Sequence, residues 1–205
     1  MEYYIYNIPL FVMSEPEASV DIPSFCQEVE ECVPATLLRN IEVVYIGNFK
    51  DLNGRNAAFN NGAIYMLATE PTNFDMLENF VHEVAHSLEV QYGMQIYSDD
   101  LRNEFLGKRT RLYHLLEAEG YHINPDLYNF TEYNKKFDNF LANEVGYPTL
   151  LNLTMGLFVS PYAATSIEEY FANGFEKYFL DNSHRVRDVS PILYRKIEEI
   201  VNAEA

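Results

Sequence analysis

Cysteine is scarce, with two in 205 residues, Cys26 and Cys32, both inside "SFCQEVEECV". If that stretch is one helix, six positions put them ~9 Å apart along the axis, beyond the reach of a disulfide. Both therefore read as free, packing thiols in a reducing compartment. Basic residues are few, 14 against 31 acidic ones, for a formal net charge of −17. Such a chain repels phosphate backbones and anionic lipid, which argues against nucleic acid and membrane surfaces as partners and for a basic peptide. No apolar run approaches the length that spans a bilayer. The opening "MEYYIYNIPLFVM" has an acidic residue where a secretory signal would carry basic ones, so a cytoplasmic or otherwise soluble chain is expected. Repeats, low-complexity tracts and Gly/Ser linkers are also missing, which leaves no sharp boundary and points to a single domain.

What is present suffices for a real core: 48% hydrophobic and 15% aromatic residues. Residues 1–20 look irregular, with a short aromatic strand around Tyr3 to Tyr6. Ser24 is placed to cap a helix reaching about Val33, which Pro34 ends. "LLRNIEVVYIGNF" predicts a buried strand over residues 41–46, and "AIYMLA" a second over residues 63–68. "KDLNGRNAAFNNG" between them is dense in Asn and Gly and reads as turns, giving an antiparallel hairpin or meander. "PTNFDMLENFVHEVAHSLEV" then switches to helical spacing. Thr72 or Asn73 is the cap, and Phe74, Leu77, Val81, Val84, Ala85 and Leu88 form the apolar series. Beyond Gly93 helices are predicted over residues 99–119, 126–144, 148–158, 166–180 and 190–202. The fold class is α+β: a small mixed or antiparallel sheet to about residue 92, then a mainly helical part from about residue 93.

Within the junction helix, "HEVAH" sets His82 and His86 four apart, on one face and one turn apart, as two ligands of one Zn²⁺ require. Glu83 lies about 100° further round, placed to take a proton from a water on the metal without ligating it. The plainer reading is an ordinary helix with polar residues. Its apolar flanks Val81, Val84 and Ala85 weigh against that, because a buried, unpaired His-Glu-His would be costly. A third ligand is still required. The extended His-rich signature would put a histidine at position 93, which is glycine. The strongest source downstream is "SPYAATSIEEYFANGFEKYF", with Glu168, Glu169 and Glu176 in an otherwise aromatic helix.

"HEVAH" followed by "YAATSIEEYFANGF" resembles the catalytic domain of anthrax lethal factor and its relatives, including the Pro-Pro endopeptidases. These are zinc metalloproteases of the Glu-ligand, gluzincin type. The resemblance is loose over about residues 60–180 and specific only in the two motifs. It implies a zincin-like domain and one Zn²⁺ held by His82, His86 and Glu169. Glu83 is then the general base, and Tyr162, seven before Glu169, a hydroxyl donor to the oxyanion. The implied reaction is hydrolysis of a protein or peptide substrate. Where the family often has a carboxylate one turn after the ligand, this chain has Asn173, whose amide oxygen would orient a metal histidine. Separation of His86 from Glu169 by 83 positions implies extra helices between the motifs. In such proteases the strand before the motif helix runs along the substrate, which makes Ala63, Ile64, Tyr65 and Met66 the expected peptide-binding edge.

On a helical wheel Ile167, Phe171, Phe175 and Tyr178 form one apolar face, and Glu168 lies nearer its edge than Glu169. Capping boxes are available to both, as Thr165 with Glu168 or Ser166 with Glu169. Capping by Thr165 and Glu168 is the expected arrangement, freeing Glu169 as ligand, with Glu168 as the alternative. His114, His122 and His184 lack motif spacing and read as surface or core residues. "GKRTR", residues 107–111, reads as a solvated helix face, or a substrate or partner contact. A non-catalytic module that kept a zincin fold, binding a partner or serving structure, is the competing function. A metal-free helical interaction protein is a third.

Overall fold

β-Branched and aromatic residues gather the start of the chain into one sheet. The computed structural model describes residues 2–52 and 54–204. Its strands are β1 (Glu2–Ile5), β2 (Ile8–Val12), β3 (Val43–Gly47), β4 (Ala57–Asn60) and β5 (Ala63–Leu67), in the order β1-β2-β3-β5-β4. β2–β3 and β3–β5 pair in parallel, while β1–β2 and β4–β5 are antiparallel. Leu10, Val44, Ile46, Ile64 and Met66 point to one fully buried face. On the other face Phe11, Tyr45 and Tyr65 stack in a row, with centroids 5.8 and 5.4 Å apart.

The expected antiparallel pairing of the second and last strands is corrected here. β3 and β5 run parallel, and β4, hidden in the segment read as turns, is the partner that makes a hairpin with β5. Asn61 and Gly62 form its two-residue loop with φ of 47° and 82°, the backbone that an Asn-Gly type I′ turn needs. Residues 1–20, read as irregular beyond one strand, hold the β1–β2 hairpin.

The helices are α1 (Ile22–Cys32), α2 (Asn73–Ile96), α3 (Asp99–Ala118), α4 (Lys135–Asn139), α5 (Tyr147–Leu153), α6 (Ile167–Leu180), α7 (Ser183–Val189) and α8 (Pro191–Glu204). Ser24 is not the cap of α1; it lies inside the helix and donates to Glu28 at 2.8 Å, with Asp21 at the cap position. Thr72 caps α2 by accepting from the Asp75 N–H at 3.2 Å. α2 buries Met76, Leu77, Phe80, Val81, Val84, Ala85 and Leu88, while Phe74, expected among them, is exposed. Cys26 and Cys32 are free thiols. Among the described residues no helix is long and apolar enough to cross a membrane.

The chain packs as two compact units, residues 1–92 with 201–205, and residues 93–200. The division falls where strand patterning gives way to helical patterning. In the first unit Glu204, near the end of α8, accepts from the Tyr92 hydroxyl and pairs with Arg39 at 2.9 Å. In the second unit the helix predicted over 126–144 is broken. A 3₁₀ turn (Pro125–Asn129) precedes α4, whose cap Asn134 accepts from the Lys136 and Phe137 amides, and a π-helical stretch (Phe140–Gly146) follows. The core contains Phe105, Leu112, Phe137, Phe140, Phe158, Tyr170, Phe171 and Phe175.

"GKRTR" is corrected as well. Lys108 and Arg109 are buried, and both donate to main-chain carbonyls of the second unit. At Gly174 in α6 an added Cβ would stand 2.3 Å from Leu193 Cδ2. Leu193 is itself fully buried. Gly174→Ala is therefore expected to destabilise the fold by about 1–3 kcal/mol, read as a lower denaturant midpoint at unchanged m-value.

Candidate metal centre

Helical spacing turns His82 and His86 to the same side of α2, and their Nε2 atoms stand 3.3 Å apart. Two nitrogens bound tetrahedrally at about 2.0–2.1 Å to one ion would be separated by roughly 3.3–3.4 Å. His86 Nδ1 lies 2.7 Å from Glu89 Oε1, three residues on along the same helix. A carboxylate accepts, so the Nδ1 hydrogen is donated there and the lone pair is left on Nε2, the tautomer a metal ligand needs.

Glu83 is only 7% exposed. Its Oε2 accepts from the Phe59 amide at 2.6 Å. The hairpin explains why that amide is available. Asn56 accepts from Leu67 across the β4–β5 pair, and by antiparallel alternation the Phe59 N–H turns outward from the sheet. The outer edge of β4 thus fixes one oxygen of the Glu83 carboxylate. The expected substrate edge of Ala63, Ile64, Tyr65 and Met66 is overturned by the same topology. β5 lies between β3 and β4, both its hydrogen-bonding sides are taken, and the sheet edge near the motif is β4.

In the second unit Tyr162 sits on a 3₁₀ turn (Tyr162–Ala164) just before α6. Its hydroxyl is 3.5 Å from Glu169 Oε1. Burial first, and the Glu169 carboxylate second, push the phenol well above the ordinary tyrosine range, so it remains a protonated donor. The cap of α6 is Ser166, not the expected Thr165 with Glu168. Ser166 Oγ accepts from the Glu169 N–H at 3.2 Å, while the Thr165 hydroxyl donates to the Tyr162 carbonyl at 2.8 Å. Capping therefore engages the main chain of Glu169, and it is the Glu169 carboxylate, not that of Glu168, that meets Tyr162.

Asn173 does not take the orienting role expected of it. Its Oδ1 accepts from the Ser160 hydroxyl at 2.5 Å and its Nδ2 donates to the Glu169 carbonyl at 2.9 Å, which locks the amide inside the second unit. The carboxylate that orients a motif histidine is Glu89. Its sequence signal was the i, i+3 spacing from His86, which puts both on one helix face. His122 pairs at the surface with Glu117 at 2.9 Å, and His114 packs on Tyr113. No family model matches the chain, and no curated protein or solved structure matches it either.

Proposed function

We propose that this chain is a zinc-dependent endopeptidase with a zincin-like fold, in which His82, His86 and Glu169 hold one Zn²⁺. The observation that carries the reading is the 3.3 Å separation of the two imidazole Nε2 atoms, the spacing a shared tetrahedral ion requires. It is supported by the donor set. Two imidazoles and a carboxylate match a catalytic zinc, which keeps a position open, better than a structural one. When bound, the ion supplies a Lewis acid and lowers the pKa of water beside it to about 7.

The chain's own residues supply the rest. Glu83, with one carboxylate oxygen fixed by the Phe59 amide, takes the proton of the attacking water and returns it to the leaving amine. The Tyr162 hydroxyl, kept protonated by its surroundings, donates to the carbonyl oxygen as negative charge develops there. A peptide laid along the outer edge of β4 would bring its backbone beside Glu83. With a net charge of −17 the chain favours basic substrates by long-range attraction.

The competing reading, a non-catalytic zincin-fold module, gives Glu83 only its bond to the Phe59 amide and leaves its capacity to take a proton unused. Metal analysis and a peptide library test the two together. About one zinc per chain, cleavage lost to 1,10-phenanthroline and cleavage restored by added zinc are expected. Bound zinc with no cleavage of a broad library would favour the module. No bound zinc would end both.

Glu89→Gln is expected to keep the fold and to lower zinc affinity by about 10- to 100-fold, measured by competition with a chromophoric chelator. The amide accepts a hydrogen bond but carries no charge to raise the basicity of the His86 ring. Unchanged affinity would remove Glu89 from the centre.

A further inference from the structure

Arg109, on α3, is 1% exposed, and among the described residues no carboxylate pairs with it. Burial lowers its guanidinium to about 10, which still leaves it charged at neutral pH. Its hydrogen bonds all go to backbone carbonyls. Nη1 donates to the carbonyls of Ala164 (2.5 Å) and Thr165 (3.2 Å), and Nη2 to those of Leu127 (2.7 Å) and Phe130 (3.3 Å). The guanidinium lies 4.0 Å from the centre of the Phe137 ring. One more bond, from the Ile167 amide to the Thr131 carbonyl at 2.8 Å, ties the same two stretches together.

The second of those stretches lies within the Tyr162–Glu169 turn, and the first is bound to it. Ala164 and Thr165 fall between Tyr162 and the Ser166 cap, so they set where α6 begins and where Glu169 points. A space-filling role would be met at lower desolvation cost by an apolar side chain. A planar fork with two separate donor ends is what gripping two pairs of carbonyls demands. We propose that Arg109 is a positioning residue whose fork fixes the Tyr162–Glu169 turn, so that phenol and carboxylate are held in place before substrate arrives. The catalytic purpose of that turn rests on the peptidase reading; the clamp on the backbone does not.

Arg109→Lys keeps the charge, but a single ammonium cannot span both pairs of carbonyls. The variant is expected to unfold cooperatively, with amide exchange at Thr165, Ile167 and Glu169 in the metal-free protein about 10-fold faster. Its kcat is expected to fall by about 10-fold or more with KM within about 2-fold, the pattern of lost alignment rather than lost binding. Ethylguanidinium added to Arg109→Ala is expected to restore part of the kcat. Wild-type exchange and wild-type kcat in Arg109→Lys would overturn the proposal. So would failure of both variants to fold, which would assign Arg109 to stability alone. If the wild type neither binds zinc nor cleaves peptide while exchange still rises in Arg109→Lys, the peptidase reading falls and the clamp stands.

Discussion

Glu83→Gln is expected to bind zinc as the wild type does and to lose peptide cleavage by about 10²- to 10⁴-fold, the span a positioned general base contributes. Glutamine has the same shape, and its carbonyl oxygen still accepts from the Phe59 amide. What disappears is the ability to take a proton. The side chain is 7% exposed, so bulk water offers no substitute base at that place. Zinc content, thermal midpoint and kcat are the measurements. Loss of zinc along with activity would make Glu83 a ligand or a folding residue, and retention of activity within about threefold would put the base elsewhere.

Removing a ligand has the other large effect. His82→Ala and His86→Ala are each expected to lower zinc affinity by more than the ~100-fold that loss of an orienting neighbour produces, and to abolish cleavage with it. The stability readout is independent of catalysis. A zinc concentration 100 times the dissociation constant stabilises the folded chain by about 2.7 kcal/mol. The wild type should therefore melt higher with zinc than without, and the two variants should not. Because ligands must be deprotonated to bind, the zinc-dependent rise should also shrink on acidification. A zinc-dependent rise persisting in both variants would place the ion away from α2.

The histidine pair of the candidate centre was legible because helices turn spacing into geometry. The four-residue interval between His82 and His86 leads to the 3.3 Å approach of their Nε2 atoms, and the period of α2 makes most of its buried face readable from sequence. Strand order was not readable, because pairing depends on distant segments. β4 consists of Ala-Ala-Phe-Asn, in which Phe59 alone favours a strand, and an Asn-Gly turn folds it onto β5. Missing it turned β5 into a false edge and hid the amide that holds Glu83. Capping at α6 could not be decided from spacing either, since Thr165 and Ser166 each have a glutamate three residues on. "GKRTR" misled for another reason. Arg109 looks solvated in one dimension, and only the folded chain brings the carbonyls of 127–130 and 164–165 around it. Glu89 is readable from its i, i+3 spacing to His86, whereas the resemblance pointed to Asn173.

Anomalous diffraction at the zinc edge, from crystals grown with zinc, tests the proposed centre most directly. A single peak is expected about 2.0–2.1 Å from Nε2 of both His82 and His86 and about 2.0–2.2 Å from a Glu169 carboxylate oxygen. No peak at saturating zinc, or a peak bound by the histidines with Glu169 far from it, would contradict the assignment.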